Sequence, residues 1–346
     1  MKNWIRVVST VLLVCVVLDC SKDDSGTVDG SGDTGLTGPG VFTSSPLRLS
    51  DLVATTPLGN LYPPDHTLPT GHVVFYYVDP SNRRPGDKDT MRTVYAPGDG
   101  ILRNIYPPNA ITHEGGIEVK MTETFSYSMY DLLVLPGLMV GQRVTAGTPI
   151  ATTSPASNAV DFEAVNTDVT LTGFVRPERY PAKMLHLVAP YGYFLRPLRD
   201  SLYARNRRNS SDKDGRIDYD IPGRLVGNWF LEGLPDGDSS LVQSAGTKQL
   251  AIVYDKFEPA SVRISIGGTL SVVGLFGVDG LAPDPATVSA SQGLVVYRFA
   301  QTFIGGSPTG GGLMAQVLSG NRLKVETYSG NTPPAGFTAG AVVFTR

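Results

Sequence analysis

Along most of the chain apolar residues fall in short runs or in alternation with polar ones, separated by turns rich in Gly, Pro, Asn and Asp. His72-Val-Val-Phe-Tyr-Tyr-Val78, Gly100-Ile-Leu-Arg-Asn-Ile-Tyr106 and Gly116-Ile-Glu-Val-Lys-Met121 read as strands. Val94-Tyr-Ala-Pro-Gly-Asp-Gly100 opens a strand after a Gly-bearing turn, and the stretch 138–151 reads as a turn-strand unit. Beyond Gly223 the signals come closer together. Leu225–Leu231, Gln249–Tyr254, Ser261–Ile266, Leu270–Phe276, Gly293–Ala300, Leu313–Leu318, Arg322–Thr327 and Ala341–Thr345 make about eight strands in some 120 residues. Val262, Ile264 and Ile266 alternate with Arg263 and Ser265, as in a strand buried on one face. Eight short strands predict a closed up-and-down barrel or a sandwich. The segment 194–209 allows one short basic helix after Pro197.

Composition agrees with a mainly β chain. Charged residues are 18% of the 346, while Gly numbers 39 and Pro 26, which favours strands and turns over helix bundles. The length gives room for two domains. Lys and Arg total 29 against 32 Asp and Glu, a formal charge of −3 without the basic face a nucleic-acid partner requires. The two cysteines, Cys15 and Cys20, both precede the folded body, which excludes a disulfide framework or a Cys-ligated metal there.

Lys2 and Arg6 precede an apolar run ending at Leu18, too short to cross a bilayer as a helix. Cys20 follows, then Ser21-Lys-Asp-Asp24 and a Gly/Ser/Thr/Asp-rich stretch. This arrangement resembles a bacterial lipoprotein signal, with Asp19 where that signal has a small neutral residue. The resemblance implies a signal peptide over 1–19, lipidation of Cys20, and a flexible tether over 20–45 that joins the protein to a membrane. The Lys-Asp-Asp run is similar to a surface-export tag, so the expected location is the cell envelope, as an outer-membrane lipoprotein exposed at the surface. An ordinary secretory signal with a chance cysteine is the alternative.

Ala96-Pro-Gly-Asp-Gly100, followed about forty residues later by Val140-Gly-Gln-Arg-Val144 and Gly147-Thr-Pro-Ile150, resembles the duplicated hybrid motif of lysostaphin-type zinc metalloendopeptidases. The resemblance covers roughly 55–195 and implies a β-barrel or sandwich domain, placed at 46–195, that acts on peptidoglycan. That family binds zinc through a His, an Asp four residues later and the second His of a His-x-His-Phe-Glu strand. Here the strand reads Ala159-Val-Asp161-Phe-Glu163, and the Tyr-x-His-Leu element reads Tyr130-Asp131-Leu132, so the histidines of both motifs are replaced. The first motif is rebuilt as His66…His72, six residues apart. A rearranged zinc site would use His66, His72 and Asp161, with Glu163 as the substitute general base. The competing reading gives these histidines structural hydrogen bonds, no catalytic residue and no cofactor. Of the other two histidines in the chain, His113 falls in a turn and His186 in an apolar strand. Tyr76, Tyr77, Tyr127 and Tyr130 are candidates for a sugar-stacking groove.

The segment 196–222 reads as a linker between separate cores, and its Asp212-Lys-Asp214-Gly215 turn resembles a calcium loop without its strongest ligands. Gly227-Asn-Trp229 resembles the lipocalin Gly-x-Trp signature, and Arg346 is placed to stack on Trp229 and close a lipocalin-like barrel over 223–346. On this reading Arg346→Ala costs less than Trp229→Ala. Three functions follow: an anchored lipoprotein whose non-catalytic peptidase-like domain binds cell-wall glycan, peptide or a partner protein; a divergent zinc peptidase; and a carrier of a small apolar ligand.

Overall fold

The computed structural model describes residues 37–79, 90–236, 246–305, 310–319 and 321–346. The expected signal peptide, the lipidation site Cys20 and the tether up to residue 36 lie outside the described residues. The chain is mainly β, with one antiparallel sheet in its first half and a closed eight-stranded antiparallel barrel in its second.

The sheet runs in the order Ala54–Thr55, His72–Tyr76, Ala159–Asn166, Phe125–Val134, Gly115–Lys120, Gly100–Tyr106 and Arg143–Val144. Its longest strand, Phe125–Val134, was not evident as an apolar run, because serines and Asp131 interrupt it. One face carries Phe75, Phe162, Tyr127, Met129, Ile117 and Val119, all essentially inaccessible to solvent. Phe42 lies within this aromatic core, with ring centroids 4.8 Å from Phe194 and 5.3 Å from Phe162. Such pairs contribute about 0.5–1.5 kcal/mol each beyond area burial. A tether reaching residue 45 is therefore corrected: Phe42 is 0% exposed, and its N–H bonds the Tyr193 carbonyl at 2.9 Å.

The segment 196–222 is a packed seam rather than a free linker. Leu202 of the Leu198–Arg205 helix is fully buried. Arg205 donates to the carbonyls of Leu49 (3.2 Å) and Leu52 (3.3 Å), and Arg208 donates to those of Asp212 (2.9 Å) and Lys256 (2.7 Å). The Arg208 guanidinium also lies 3.4 Å from the Asp212 carboxylate, so a protein cation serves the turn that resembles a calcium loop.

The barrel strands are Gly227–Leu231, Gln249–Tyr254, Val262–Ile266, Gly274–Val278, Val295–Gly305, Gly312–Ser319, Arg322–Tyr328 and Val342–Thr345; the last pairs with the first through Phe230↔Thr345 and Leu231↔Phe344. Trp229, Leu250, Ile252, Ile264, Phe276, Tyr297, Leu313, Val325 and Phe344 fill the interior. The outward residues of the same strands, Phe230, Ala251, Val253 and Leu275, belong to the core of the first sheet. Separate cores are thus overturned. The physical reason is the uninterrupted Leu-Ala-Ile-Val run of 250–253, which buries both faces of one strand.

Arg346 and Trp229 meet in the barrel, with the guanidinium carbon 3.9 Å from the ring centroid and both residues at most 1% exposed. The Trp229 indole N–H donates to the Leu225 carbonyl at 2.9 Å, and Arg346 donates to the carbonyls of Ile221 (2.8 Å) and Val226. Asp220 lies 3.9 Å from the Arg346 Nε and is itself buried, accepting backbone N–H bonds from Asn228 (2.7 Å) and Val175 (3.1 Å).

Trp229→Ala is expected to lose about 3–5 kcal/mol of packing and roughly 2 kcal/mol of desolvated cation–π contact. Arg346→Ala should cost about as much, because it strands Asp220 as a buried carboxylate without its cation, a change worth about 3–5 kcal/mol. Scanning calorimetry should give one endotherm for the wild type and for each variant. A second transition that stays at the wild-type temperature would contradict the continuous core.

Candidate functional site

Strand alternation generates the site. In the Ala159–Asn166 strand Phe162 points into the core, so Asp161 and Glu163 emerge on the opposite face. Register places His72 opposite Glu163 on one side, and Ser128 and Tyr130 opposite Glu163 and Asp161 on the other. One more strand out, Glu118 pairs with Ser128, and the Tyr106 hydroxyl donates to Glu118 at 3.0 Å. This face of the sheet is polar and titratable. Of the four tyrosines proposed for a groove, Tyr77 and Tyr127 are core residues; Tyr76 and Tyr130 remain half-buried.

His72 Nε2 lies 3.1 Å from Asp161 Oδ2, with side chains 13% and 20% exposed. Burial pushes the imidazole down to about 4, against the opposing field of Glu163, so it is neutral at pH 7. Burial likewise pushes Asp161 up to about 6, opposed by His66 and Lys256. The His66 ring stands edge-on to His72 with centroids 5.6 Å apart, in a turn closed by paired backbone bonds to Tyr62 at 2.8 Å. Glu163 forms an ion pair with Lys183 of the 3-10 helix Ala182–His186, and Lys183 also donates to the Tyr130 hydroxyl at 3.4 Å. Of the expected apolar strand around His186, Leu187–Val188 is a strand paired with Ala159–Asn166, while His186 ends the 3-10 helix and its Nδ1 bonds the Val169 carbonyl at 2.7 Å. His113 sits in an exposed turn with φ +59°.

The three candidate zinc ligands are neighbours, yet their arrangement does not fit a metal. His72 and Asp161 face each other at 3.1 Å, and among the described residues no three His, Cys, Asp or Glu side chains converge on one point. Glu163, the candidate general base, is held by an ammonium group.

Sequence reading gave no role to three groups, one of which, Asp131, it noted only as a replaced histidine. Lys256, in the loop after the barrel strand Gln249–Tyr254, donates to Asn60 Oδ1 at 2.5 Å, and burial pushes its ammonium down to about 8. Lys183 is the second. The third is Asp131, the extra residue of a β-bulge between the Tyr130↔Gly116 and Leu132↔Gly115 pairs, with φ +64°. Burial, then the charges of Asp161 and Glu114, push its carboxyl up to about 7.

Asp131 should therefore weaken the fold at high pH. Its folded-state value lies above the unfolded value of 3.8, so the stability linked to its proton is complete below that and is lost as pH rises through 7. Asp131→Asn tolerates the same backbone conformation and removes the charge. It should raise the melting temperature at pH 8, with a gain that shrinks steadily toward pH 4. A gain of equal size at both pH values would refute the assignment.

The chain matches no protein-family model and no curated protein. Among solved structures it is similar to Helicobacter pylori Csd3 (13% identity, TM-score 0.30, covering 45% of this chain and 35% of that one). It is also similar to a zinc-containing peptidase from Vibrio cholerae (15% identity, TM-score 0.26, 37% of each chain). A third is the SpoIIQ–SpoIIIAH pore-forming complex (13% identity, TM-score 0.30, 46% of this chain and 95% of that one). The chain spans little more than a third of the length of the first two, and none of these likenesses assigns it an activity.

Proposed function

We propose that this protein is an envelope-anchored lipoprotein whose sheet domain has the frame of a lysostaphin-type peptidase and binds cell-wall glycan, peptide or a partner protein without cutting it. The observation that carries the reading is the 3.1 Å His72–Asp161 pair, which joins two would-be zinc ligands to each other. The replaced histidines support it from the sequence, since Asp161 and Asp131 stand at their positions. Losing a general base alone costs on the order of 10²–10⁴ in rate. The carrier reading gains no support from a barrel whose interior is filled by side chains.

Purified chain should co-sediment with insoluble cell walls or with a partner while releasing no soluble fragments. Turbidity clearing that a chelator and His72→Ala both abolish would overturn the non-catalytic reading. The anchor has its own test. Wild-type protein should partition into detergent with an acylated Cys20, and Cys20→Ala should be aqueous; two equally soluble, equally processed forms would refute it.

A further inference from the structure

We propose that Arg176 and Arg179 form a site for a phosphate-type oxyanion, and that the Asp236 carboxylate is its built-in occupant, which an external ligand displaces. The site is a cavity of about 500 Å³ lined by Arg176, Arg179, Leu234, Asp236, Arg322 and Thr345. It shares no residue with the titratable face of the sheet. Arg179 ends the short 3-10 helix Pro177–Arg179 and is only 5% exposed, with its guanidinium carbon 5.1 Å from the Phe230 ring centroid. For so buried a cation it is poorly satisfied. Its Nη2 donates to the Leu234 carbonyl at 3.4 Å, while Nε and Nη1 make no hydrogen bond. Asp236 Oδ1 stands 2.9 Å from that Nε, so it supplies charge without an aligned N–H bond.

A second orphan lines the same cavity from a different element. Thr345 Oγ1, on the last barrel strand, is buried without a hydrogen-bond partner. Buried polar atoms in that state are few in folded proteins, and an absent ion or water is one reason for them. Asp236 also holds Arg176, with Nη2 2.5 Å from Oδ2, yet its side chain is 45% exposed and has solvent to turn into. Arg176 and Arg322 otherwise face Glu178 and Glu232, carboxylates about half exposed, and such surface pairs contribute little. A guanidinium that meets an oxyanion squarely takes two parallel N–H bonds, which Asp236 does not give Arg179. Phosphate suits the wall better than a second carboxylate. It brings three acceptor oxygens and a charge of about −1.5 to −2 to three arginines and a hydroxyl.

The test is calorimetric titration of the full chain with sodium phosphate at pH 7.5, against sodium chloride of matched ionic strength. Wild type should bind weakly, because only molecules whose Asp236 has turned away are competent. Asp236→Asn removes that competitor and should bind one equivalent about tenfold more tightly or better. No saturable uptake by Asp236→Asn, or an affinity equal to that of the wild type, would overturn the proposal. In the Asp236→Asn background, Arg179→Met should abolish binding. Should that variant fail to fold, Arg176→Gln in the same background carries the reading; it should weaken binding about fivefold or more, and an unchanged affinity would overturn the site. Sodium acetate should bind far less tightly than phosphate, and equal affinities would overturn the phosphate class. Glycerol 3-phosphate identifies the source. Affinity close to that of inorganic phosphate supports a phosphoryl group carried on a larger molecule, and binding of inorganic phosphate alone supports the free ion.

Discussion

The rest of the structure depends on one wall of the barrel being buried on both sides. Strands Gly227–Leu231 and Gln249–Tyr254 send Trp229, Leu250 and Ile252 inward, and Phe230, Ala251 and Val253 outward into the core of the sheet. A barrel strand normally shows water its outer face; here that face carries apolar side chains which must be covered. Fully burying a Phe or Val side chain contributes about 1.5–3 kcal/mol, so separating the halves would expose several such residues at once. The seam 206–220 and the loop carrying Lys256 are consequences, because a fixed wall brings their polar groups to fixed distances.

Cations of the chain organise what apolar packing leaves open. Arg346 sits on Trp229 and holds the carbonyls of Ile221 and Val226, joining the barrel's last strand to the entry of its first. Arg208 gathers Asp212 and the Lys256 carbonyl. Lys183 holds Glu163. In each case the charge comes from the chain, in geometries where the sequence allowed an ion to be expected at the zinc-like cleft and the calcium-like turn. Guanidinium suits the buried positions because its planar fork satisfies several carbonyls together.

Much of this was legible from period-two alternation. The barrel strands fell close to their places, apart from Leu270–Phe276, where the observed strand is Gly274–Val278. The placement of Trp229 beside Arg346 came from a three-residue resemblance together with an arginine at position 346. The clue to the shared core was also present, since Leu250-Ala-Ile-Val253 does not alternate, but an apolar run alone does not name the surface that covers it. The Asp161–Glu163 strand and the proximity of His66 to His72 were readable as motifs. Lys183 and Lys256 were not, because a lysine in a polar segment looks solvated until long-range packing brings a partner to it, Glu163 for the first and Asn60 for the second. The seam was misread for the same reason: its arginines resemble a solvated run, whereas they also reach backbone carbonyls 48 to 156 positions away.

The polar face of the sheet shows where this arrangement is least satisfied. Glu114, Asp131, Asp161 and Glu163 act on one another across it, and Lys183 and Lys256 are the ammonium groups that answer them. Both histidines cannot make up the difference while His72 stays neutral in its buried position. Burial first, and neighbouring carboxylates after it, hold Asp131 and Asp161 above the usual carboxylate range, and the Glu114 Oε1 atom is buried without a hydrogen-bond partner. A core built only for stability would have replaced such groups with apolar ones. Asp131, moreover, occupies a left-handed bulge that costs backbone energy as well as charge repulsion. Strain and unbalanced charge are thus concentrated on the face opposite the aromatic core, while the remainder of the sheet is conventionally packed. On the proposed reading, that concentration makes the polar face the surface where a ligand's own polar groups have most to offer.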